Sequence, residues 1–287
     1  VLNKFNFDLS KKIIKTKNTN EFLNKLAHLK RLSSEATIIG ITGSSGKTSL
    51  KDLIGKLLSF FEKTYYSQKS FNNSYGVPLS LSNLELDHKY GVFEIGMSKS
   101  GEIDKLSKLV KPHIAVITNI AEAHIENFKD LKGIAKAKGE IINNIVKDGY
   151  LILNRDDNFF SYFKNEALKK NIKVVSFGLN KNSDIKALRI KKINSINYLT
   201  VKVFNKIYNL NFEGHHINNI LGLIAVLKVL NLDIQSFIKK IDDIEMSDGR
   251  GKTYKIKLNN IKFNLIDESY NANPLSMRES ISKISKI

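Results

Sequence analysis

The chain has 287 residues, and its 46 Lys and Arg against 28 Asp and Glu give a formal net charge of +18. A chain of this size buries roughly three quarters of its unfolded surface on folding, and a content of 42% apolar and 26% charged residues excludes wholesale disorder. The absence of cysteine excludes a disulfide scaffold, thiolate metal sites and cysteine nucleophiles, and it fits a reducing compartment.

The positive charge is spread along the whole chain rather than clustered. No block of five or six like charges occurs, so we expect no nucleic-acid partner. The longest apolar run, 220–227, is far shorter than the ~20 residues that cross a bilayer. The N-terminus also lacks the apolar region of a signal peptide, and we therefore expect a cytoplasmic protein without membrane insertion.

The first part of the chain predicts a single helix, at about 19–32, because apolar residues recur there at helical spacing. Residues 1–35 are too short for a domain, and we expect them to be the end of an N-terminal domain. The chain opens on Val1 and stops within an amphipathic helical pattern, so we expect both ends to be cut.

From Ala36 onward, short apolar runs alternate with helical patterns. The runs predict strands at 37–42, 91–96, 113–120, 150–154 and 173–178. The helical patterns between them lie near 48–61, 101–110, 130–146 and 157–170. This alternation predicts an α/β fold with a doubly wound, mostly parallel sheet, in which ligands bind beyond the carboxyl ends of the strands.

The pattern changes between residues 184 and 211. Closely spaced strands follow one another there without helices, which predicts a small antiparallel meander attached to the main sheet. Two further helices are expected, at about 217–230 and 234–241.

A Gly-rich turn, 247–251, marks the next change. Two strands (254–258 and 262–266) and a last helix follow it, so we place a domain boundary in this turn. The expected division is one domain at 36–246 and the start of a further domain at 247–287.

The strongest motif is GSSGKT, 43–48, which links a predicted strand to a predicted helix. Glycines let backbone N–H groups close around phosphate oxygens, while Lys47 would neutralise phosphate charge and the Thr48 hydroxyl would bind Mg²⁺. The usual spacing of this motif has glycine where the chain has Ile41, so the loop is a shortened variant. An ordinary Gly-rich turn is the alternative, and the Lys-Thr pair after Gly46 favours the phosphate loop.

Three other side chains are candidates for chemistry. Glu94 and His124 each lie at the carboxyl end of a predicted strand, where a carboxylate or an imidazole can hold a metal ion. Taken singly, Glu94 is equally typical of a solvated strand end, and a lone histidine such as His124 is more often a structural residue. Only their shared edge with Lys47 favours a site. Lys138 lies in a predicted helix, and composition alone gives it no role beyond a solvated face.

Eight stretches together resemble the Mur ligases, the ATP-dependent amide-forming enzymes of peptidoglycan synthesis. They occur in the family's order over roughly residues 20–287: ITGSSGKTS (41–49), FNNSYGVPLSL (71–81), FEIGMSKSGEI (93–103), ITNIAEAHIENF (117–128), AKAKGEI (135–141), GHHINNIL (214–221), GRG (249–251) and DESYNANP (267–274). The last stretch favours the member that joins D-alanyl-D-alanine to UDP-N-acetylmuramoyl-tripeptide.

The resemblance implies a three-domain enzyme with ATP and two Mg²⁺ ions as cofactors, and we expect a monomer. ATP would phosphorylate the terminal carboxylate of the tripeptide, and the amine of D-alanyl-D-alanine would displace phosphate from the acyl phosphate to form an amide. The alternatives are a sibling ligase or a folylpolyglutamate synthase-like ligase, and more remotely a nucleic-acid-associated P-loop ATPase. A fragment that binds nucleotide without catalysis is a further alternative.

The resemblance also implies roles for individual residues. The catalytic set is Lys47, His124 and Lys138. The ATP-binding set is Gly43, Ser44, Ser45, Gly46, Lys47, Thr48, Ser49, Asn219, Arg250 and Asp267. The substrate-binding set is Asn72 and Asn73. The metal ligands are Thr48, Glu94, His124 and Lys138, the last as a carbamate formed when the amine captures CO₂. The choices between Asn218 and Asn219 and between Asp267 and Glu268 stay open.

Overall fold

The computed structural model describes residues 15–122, 127–193, 196–244, 248–259, 261–270, 277, 278 and 281. Within these residues, nine strands form one sheet: β1 (Thr37–Thr42), β2 (Thr64–Tyr66), β3 (Tyr90–Glu94), β4 (Ile114–Ile117), β5 (Tyr150–Asn154), β6 (Lys173–Gly178), β7 (Ile185–Ile193), β8 (Ile196–Val203) and β9 (Lys206–Glu213). Their spatial order is β2-β3-β1-β4-β5-β6-β7-β8-β9. The predicted α/β fold is confirmed.

Helices connect the strands and cover the sheet. The α-helices are α1 (Thr19–Ser33), α2 (Lys47–Ser59), α3 (Gly76–Ser82), α4 (Glu102–Val110), α5 (Leu131–Gly139), α6 (Phe160–Lys169), α7 (Ile217–Val229) and α8 (Ile234–Ile238). Two short 3₁₀ helices follow α5 and α8, at Glu140–Asn144 and Ile241–Asp243. None of the helices in the described part of the chain has the length and apolarity to cross a membrane.

The first six strands are parallel, and their register assembles one edge of the sheet. β1 lies between β3 and β4, with Ile41 opposite Glu94 and Thr42 opposite Ile117. The ends of these three strands therefore lie side by side. The loops that follow them must meet at this edge, as expected for a doubly wound sheet.

Alternating residues of the central strands pack into apolar cores on the two faces of the sheet. Ile39 and Ile41 of β1 belong to the core that includes buried residues of α2, α7 and α8, whereas Ile38 belongs to the core on the other face, with buried residues of α3, α4, α5 and α6. Successive side chains of a strand point to opposite faces, so a strand buried on both faces must be apolar throughout. The four central residues of β1, 38–41, meet this requirement.

The antiparallel meander continues the sheet. β7 joins β6 in parallel through only two residue pairs, and then pairs with β8, which in turn pairs with β9, both in antiparallel fashion. Two more strands, β10 (Lys252–Leu258) and β11 (Ile261–Asp267), form a separate antiparallel sheet after the Gly-rich turn.

Several observed elements differ from the predicted ones in their bounds or were not predicted. β4 ends at Ile117 rather than residue 120, because the following residues turn and hydrogen-bond to the loop after β1. The helix predicted at 130–146 changes to a 3₁₀ helix after Gly139. β2 and α3 were not predicted, because one has three residues and the other contains Gly76 and Pro78. The predicted last helix lies mostly outside the described residues.

Candidate active site

A cavity of about 1400 Å³ opens at the carboxyl edge of the central strands. Its wall combines the loop after β1, the ends of β3 and β4, α5, the start of α7 and the turn before β10. Candidate residues in this wall are Ser44, Ser45, Gly46, Lys47, Thr48, Ser49, Asn72, Asn73, Glu94, Lys138, Asn218, Asn219, Arg250 and Glu268. The structure thus brings most of the predicted site residues into one cavity.

The loop after β1 requires its two glycines. Gly43 and Gly46 have φ angles of 145° and 77°, which side-chain-bearing residues rarely adopt. A Cβ on Gly43 would lie 1.9 Å from the Thr118 hydroxyl, so that site has no space for one. α2 begins directly after Gly46, and its unpaired N–H groups and positive dipole end favour an anion at the loop.

Two residues after β4, Thr118 and Asn119, hold this loop in place, and they were not among the candidates predicted from sequence. Asn119 accepts a hydrogen bond from the Ser45 N–H through its Oδ1 (2.9 Å) and donates through Nδ2 to Ser45 Oγ (2.8 Å). The Thr118 hydroxyl donates to the Ser45 carbonyl at 2.6 Å, and the Asn119 carbonyl accepts from the Ser44 N–H. The only sequence signal for this role is their position directly after a parallel strand.

Lys47 bends back over the loop. Its Nζ donates to the Gly43 carbonyl at 2.8 Å and to the Ser44 carbonyl at 3.3 Å. Burial lowers the pKa of Lys47 from its ordinary value, nearby Glu94 opposes this shift, and the positive charge of Arg250 adds to it. The ammonium group is therefore held over the loop by two neutral backbone carbonyls.

Thr48 and Glu94 form a buried oxygen cluster beside Lys47. The Thr48 hydroxyl donates to Glu94 Oε2 at 2.7 Å, and Ser70 Oγ lies 3.1 Å from Thr48 Oγ1. Glu94 is only 1% exposed, and its other carboxylate oxygen accepts from Asn72 Nδ2 at 2.6 Å. Mg²⁺ prefers hard oxygen donors, and this set of one carboxylate with hydroxyl groups fits it.

Lys138 is buried in the cavity wall, contrary to the solvated face that composition alone gave it. It is 2% exposed on α5, whereas Lys136, two residues earlier on the same helix, is exposed. Burial holds the pKa of Lys138 well below its ordinary value, the charge of Lys47 lowers it further, and Glu94 partly offsets both. A larger fraction of its amine is therefore neutral near pH 7 than for an exposed lysine.

The structure distinguishes the two residues of each pair that the sequence left open, Asn218–Asn219 and Asp267–Glu268. Asn219 is buried, and its Oδ1 lies 3.2 Å from where a Cβ would stand on Gly46, whereas Asn218 is exposed at the cavity wall. Asp267 does not line the cavity, because its carboxylate accepts from the N–H groups of Gly249 and Ser269. Glu268 does line it.

Arg250 reaches the oxygen cluster from the turn before β10. Its terminal nitrogen donates to Thr48 Oγ1 at 3.0 Å and to Ser70 Oγ at 3.3 Å, and the guanidinium lies 4.2 Å from the centre of the Tyr270 ring.

Neither Asn73 nor His124 is seen in contact with the oxygen cluster in the described part of the chain. Asn73 lines the cavity, but its Oδ1 accepts from the N–H groups of Tyr75 and Gly76 at the start of α3. His124 lies outside the described residues, as do residues 271–274 of the DESYNANP segment.

Comparison with known proteins identifies the family. Residues 41–227 match the Mur ligase middle domain. The chain is 35% identical over 282 residues to the UDP-N-acetylmuramoyl-tripeptide–D-alanyl-D-alanine ligase of Rickettsia prowazekii, which covers 96% of the chain and 62% of that protein. It is 31% identical to the Escherichia coli ligase of the same name, over 98% of the chain and 61% of the relative. The chain thus spans about three fifths of the length of these relatives.

Solved structures agree with the sequence relatives. A crystal structure of MurF from Acinetobacter baumannii superposes with a TM-score of 0.84 at 30% identity, over 92% of this chain and 58% of the other. MurF from Thermotoga maritima, solved in complex with ADP, has the same fold, with a TM-score of 0.81 at 24% identity over 97% of this chain and 63% of the other. The chain therefore belongs to the Mur ligase family and carries its middle domain.

Proposed function

We propose that the whole protein uses ATP to join D-alanyl-D-alanine to UDP-N-acetylmuramoyl-tripeptide in peptidoglycan synthesis, through an acyl phosphate. The names of the relatives from Rickettsia prowazekii and Escherichia coli support this choice of substrates. The observation that carries the proposal is the convergence of Lys47, Thr48, Glu94 and Lys138 on one cavity at the phosphate loop.

The first step transfers phosphate between two anions, which requires concentrated positive charge. The bond between the γ-phosphorus and the oxygen that bridges to the β-phosphate breaks, ADP leaves, and a carboxylate oxygen of the tripeptide takes the phosphoryl group. Lys47, the loop N–H groups and the N-terminus of α2 are placed to stabilise the charge that develops on the phosphate oxygens. A carboxylate is a poor electrophile, so this step installs the leaving group that the next one needs.

The second step forms the amide. The amine nitrogen of D-alanyl-D-alanine bonds to the carbonyl carbon, a tetrahedral intermediate collapses, and phosphate leaves with the electron pair of the C–O bond. The amine loses a proton in the process. Asn72 and Asn73 lie on the side of the cavity that we assign to the tripeptide, with Asn72 held by Glu94.

The metal and modification assignments belong to the same proposal. Thr48 and Glu94 would hold one Mg²⁺, and His124 with a carbamylated Lys138 would hold a second. The ions would supply charge neutralisation for the phosphoryl group. Burial of Lys138 among cavity-lining residues supports carbamylation, because CO₂ reacts with the neutral amine and the product is an anion suited to a cation.

The remaining assignments complete the proposal. Asn219 and Arg250 would contact ATP, and the cavity position of Glu268 makes it the stronger candidate of the Asp267–Glu268 pair. The separate sheet of β10 and β11 supports a domain boundary at about residue 247, with the central domain at 36–246 and the end of an N-terminal domain before it. We propose that the protein is cytoplasmic and monomeric. We also propose that it has no nucleic-acid partner, since the lysines are not clustered along the sequence.

The deciding experiment measures ADP and amide formation by the whole protein. We expect ADP release to require UDP-N-acetylmuramoyl-tripeptide and amide to appear only when D-alanyl-D-alanine is added. Amide formation with a different amino acid would identify a sibling ligase. ADP release that requires DNA or RNA and falls steeply with salt would instead support the nucleic-acid ATPase.

Replacement of Asn119 by alanine should weaken nucleotide binding by roughly tenfold, about 1.4 kcal/mol. The substitution removes two hydrogen bonds that hold Ser45 and therefore leaves the loop less ordered before ATP arrives. Calorimetric titration with ADP would measure the change. The control is Asn83→Ala, which removes one exposed hydrogen bond to the Leu79 carbonyl at the end of α3. Equal affinity in the two variants would contradict the role of Asn119.

Replacement of Glu94 by glutamine should raise the Mg²⁺ concentration required for half-maximal turnover by roughly tenfold or more. Glutamine preserves volume and the contact with Thr48 but removes the negative charge that attracts a hard cation. His124→Ala should act in the same direction. A titration of turnover against Mg²⁺ at saturating ATP would test both variants, and parental Mg²⁺ dependence in both would mean that neither residue is a ligand.

A further inference from the structure

Lys51 carries a buried positive charge that the proposed chemistry does not use. It lies on α2, about one turn beyond Thr48, and its side chain is completely buried. A buried ammonium group is costly unless hydrogen bonds and an opposite charge compensate it, so its partners indicate what the charge does there.

Three acceptors surround the Lys51 ammonium group. Its Nζ donates to the Ser67 carbonyl at 2.5 Å, to the Lys69 carbonyl at 2.9 Å and to the adjacent Asp52 carboxylate. Lysine has three N–H donors, and all three are used. Two of the three acceptors are backbone carbonyls of the segment that follows β2.

That segment, 67–72, leads from β2 to the oxygen cluster of the site. The Ser67 N–H donates to the Val92 carbonyl of β3, which fixes the start of the segment. Three and five residues later, Ser70 Oγ lies 3.1 Å from Thr48 Oγ1 and Asn72 Nδ2 donates to Glu94. Lys51 therefore ties the segment to the same helix that carries Thr48.

We propose that Lys51 is a positioning residue that fixes segment 67–72 against α2, so that Ser70 and Asn72 stay in contact with Thr48 and Glu94. An apolar side chain of equal length would fill the same volume without bonding to the two carbonyls. The consequence for cation binding rests on the proposed function of Thr48 and Glu94, whereas the ordering of the segment does not.

The test compares Lys51→Met with Lys108→Met, a control that removes an exposed helical lysine from α4. Methionine keeps the length and volume but leaves the Ser67 and Lys69 carbonyls without their donor. We expect amide hydrogen exchange in 67–72 to accelerate at least tenfold in Lys51→Met, with exchange in β4 unchanged. The control should match the parent protein throughout.

An unchanged exchange rate in 67–72, or an equal acceleration in β4, would overturn the proposal, because Lys51 would then be a core residue only. If Lys51→Met does not fold, Asp52→Asn replaces it as the test. This variant keeps the lysine but removes its counter-charge. We expect about threefold faster exchange in 67–72, and exchange equal to the parent would again overturn the proposal.

A second measurement addresses the cation. The Mg²⁺ concentration required to bind a non-hydrolysable ATP analogue should rise at least fivefold in Lys51→Met, while binding of the analogue without Mg²⁺ stays the same. An unchanged Mg²⁺ requirement together with loosened exchange would overturn the link to Thr48 and Glu94. If the parent protein shows no Mg²⁺-dependent binding, the proposed function fails, and the exchange result still decides the role of Lys51.

Discussion

Replacement of Lys47 by alanine is expected to abolish ATP turnover, with a loss of roughly 10²–10³-fold or more. The substitution removes an ammonium group that bends over the loop after β1, where it contacts the Gly43 and Ser44 carbonyls. No packing of the core is lost, because Lys47 is half-buried at the cavity wall. We therefore expect loss of activity without loss of the fold.

Three measurements separate these effects. Phosphate release reports turnover, calorimetric titration with ADP reports binding, and thermal unfolding reports stability. Lys108→Ala serves as the control, since it removes a lysine from the exposed face of α4. Wild-type turnover in Lys47→Ala would contradict the proposal that Lys47 stabilises the charge on the phosphates of ATP. A collapse of Tm alongside the loss of activity would show that the residue is structural.

Replacement of Lys138 by alanine should lower turnover by roughly a hundredfold or more, whereas Lys136→Ala should be mild. The two lysines are two residues apart on α5, yet one is buried at the cavity and the other is exposed. Each variant removes one lysine charge from α5, so a difference in their turnover reflects the position of the lysine at the cavity rather than the loss of charge. Equal turnover in Lys138→Ala and Lys136→Ala would mean that Lys138 has no part in the reaction.

Carbamylation gives Lys138 a second, independent readout. The amine nitrogen bonds to the carbon of CO₂, the electron pair of one C=O π bond moves to its oxygen, and the nitrogen releases a proton to leave a carbamate anion. Burial favours this reaction by lowering the pKa of the amine. Removal of CO₂ and bicarbonate should reduce activity reversibly. With ¹³C-bicarbonate, a carbamate resonance should appear in the parent protein and in Lys136→Ala but not in Lys138→Ala. The same spectrum in all three proteins would exclude carbamylation at this residue.

The sequence by itself determined the architecture and the phosphate loop of this protein. Strands β1, β5 and β6 were predicted residue for residue, because the sheet is covered on both faces and each of these strands is a short, mostly apolar run. The loop at 43–48 was equally clear, since the spacing of Gly43, Gly46 and the Lys-Thr pair can be recognised from local sequence alone. Glu94 and His124 were candidates from their positions at predicted strand ends, and the resemblance to the Mur ligases supplied the remaining candidate residues.

Only the tertiary structure showed which polar side chains are buried at the cavity and which are exposed. Lys138 and Lys136 are alike in sequence, and the packing of α5 against the sheet buries only the first. Thr118, Asn119 and Lys51 act on segments far away in the chain, through hydrogen bonds that no local pattern records. Short elements such as β2 and α3 were missed for the same reason: their stability comes from neighbouring strands and helices rather than from their own periodicity.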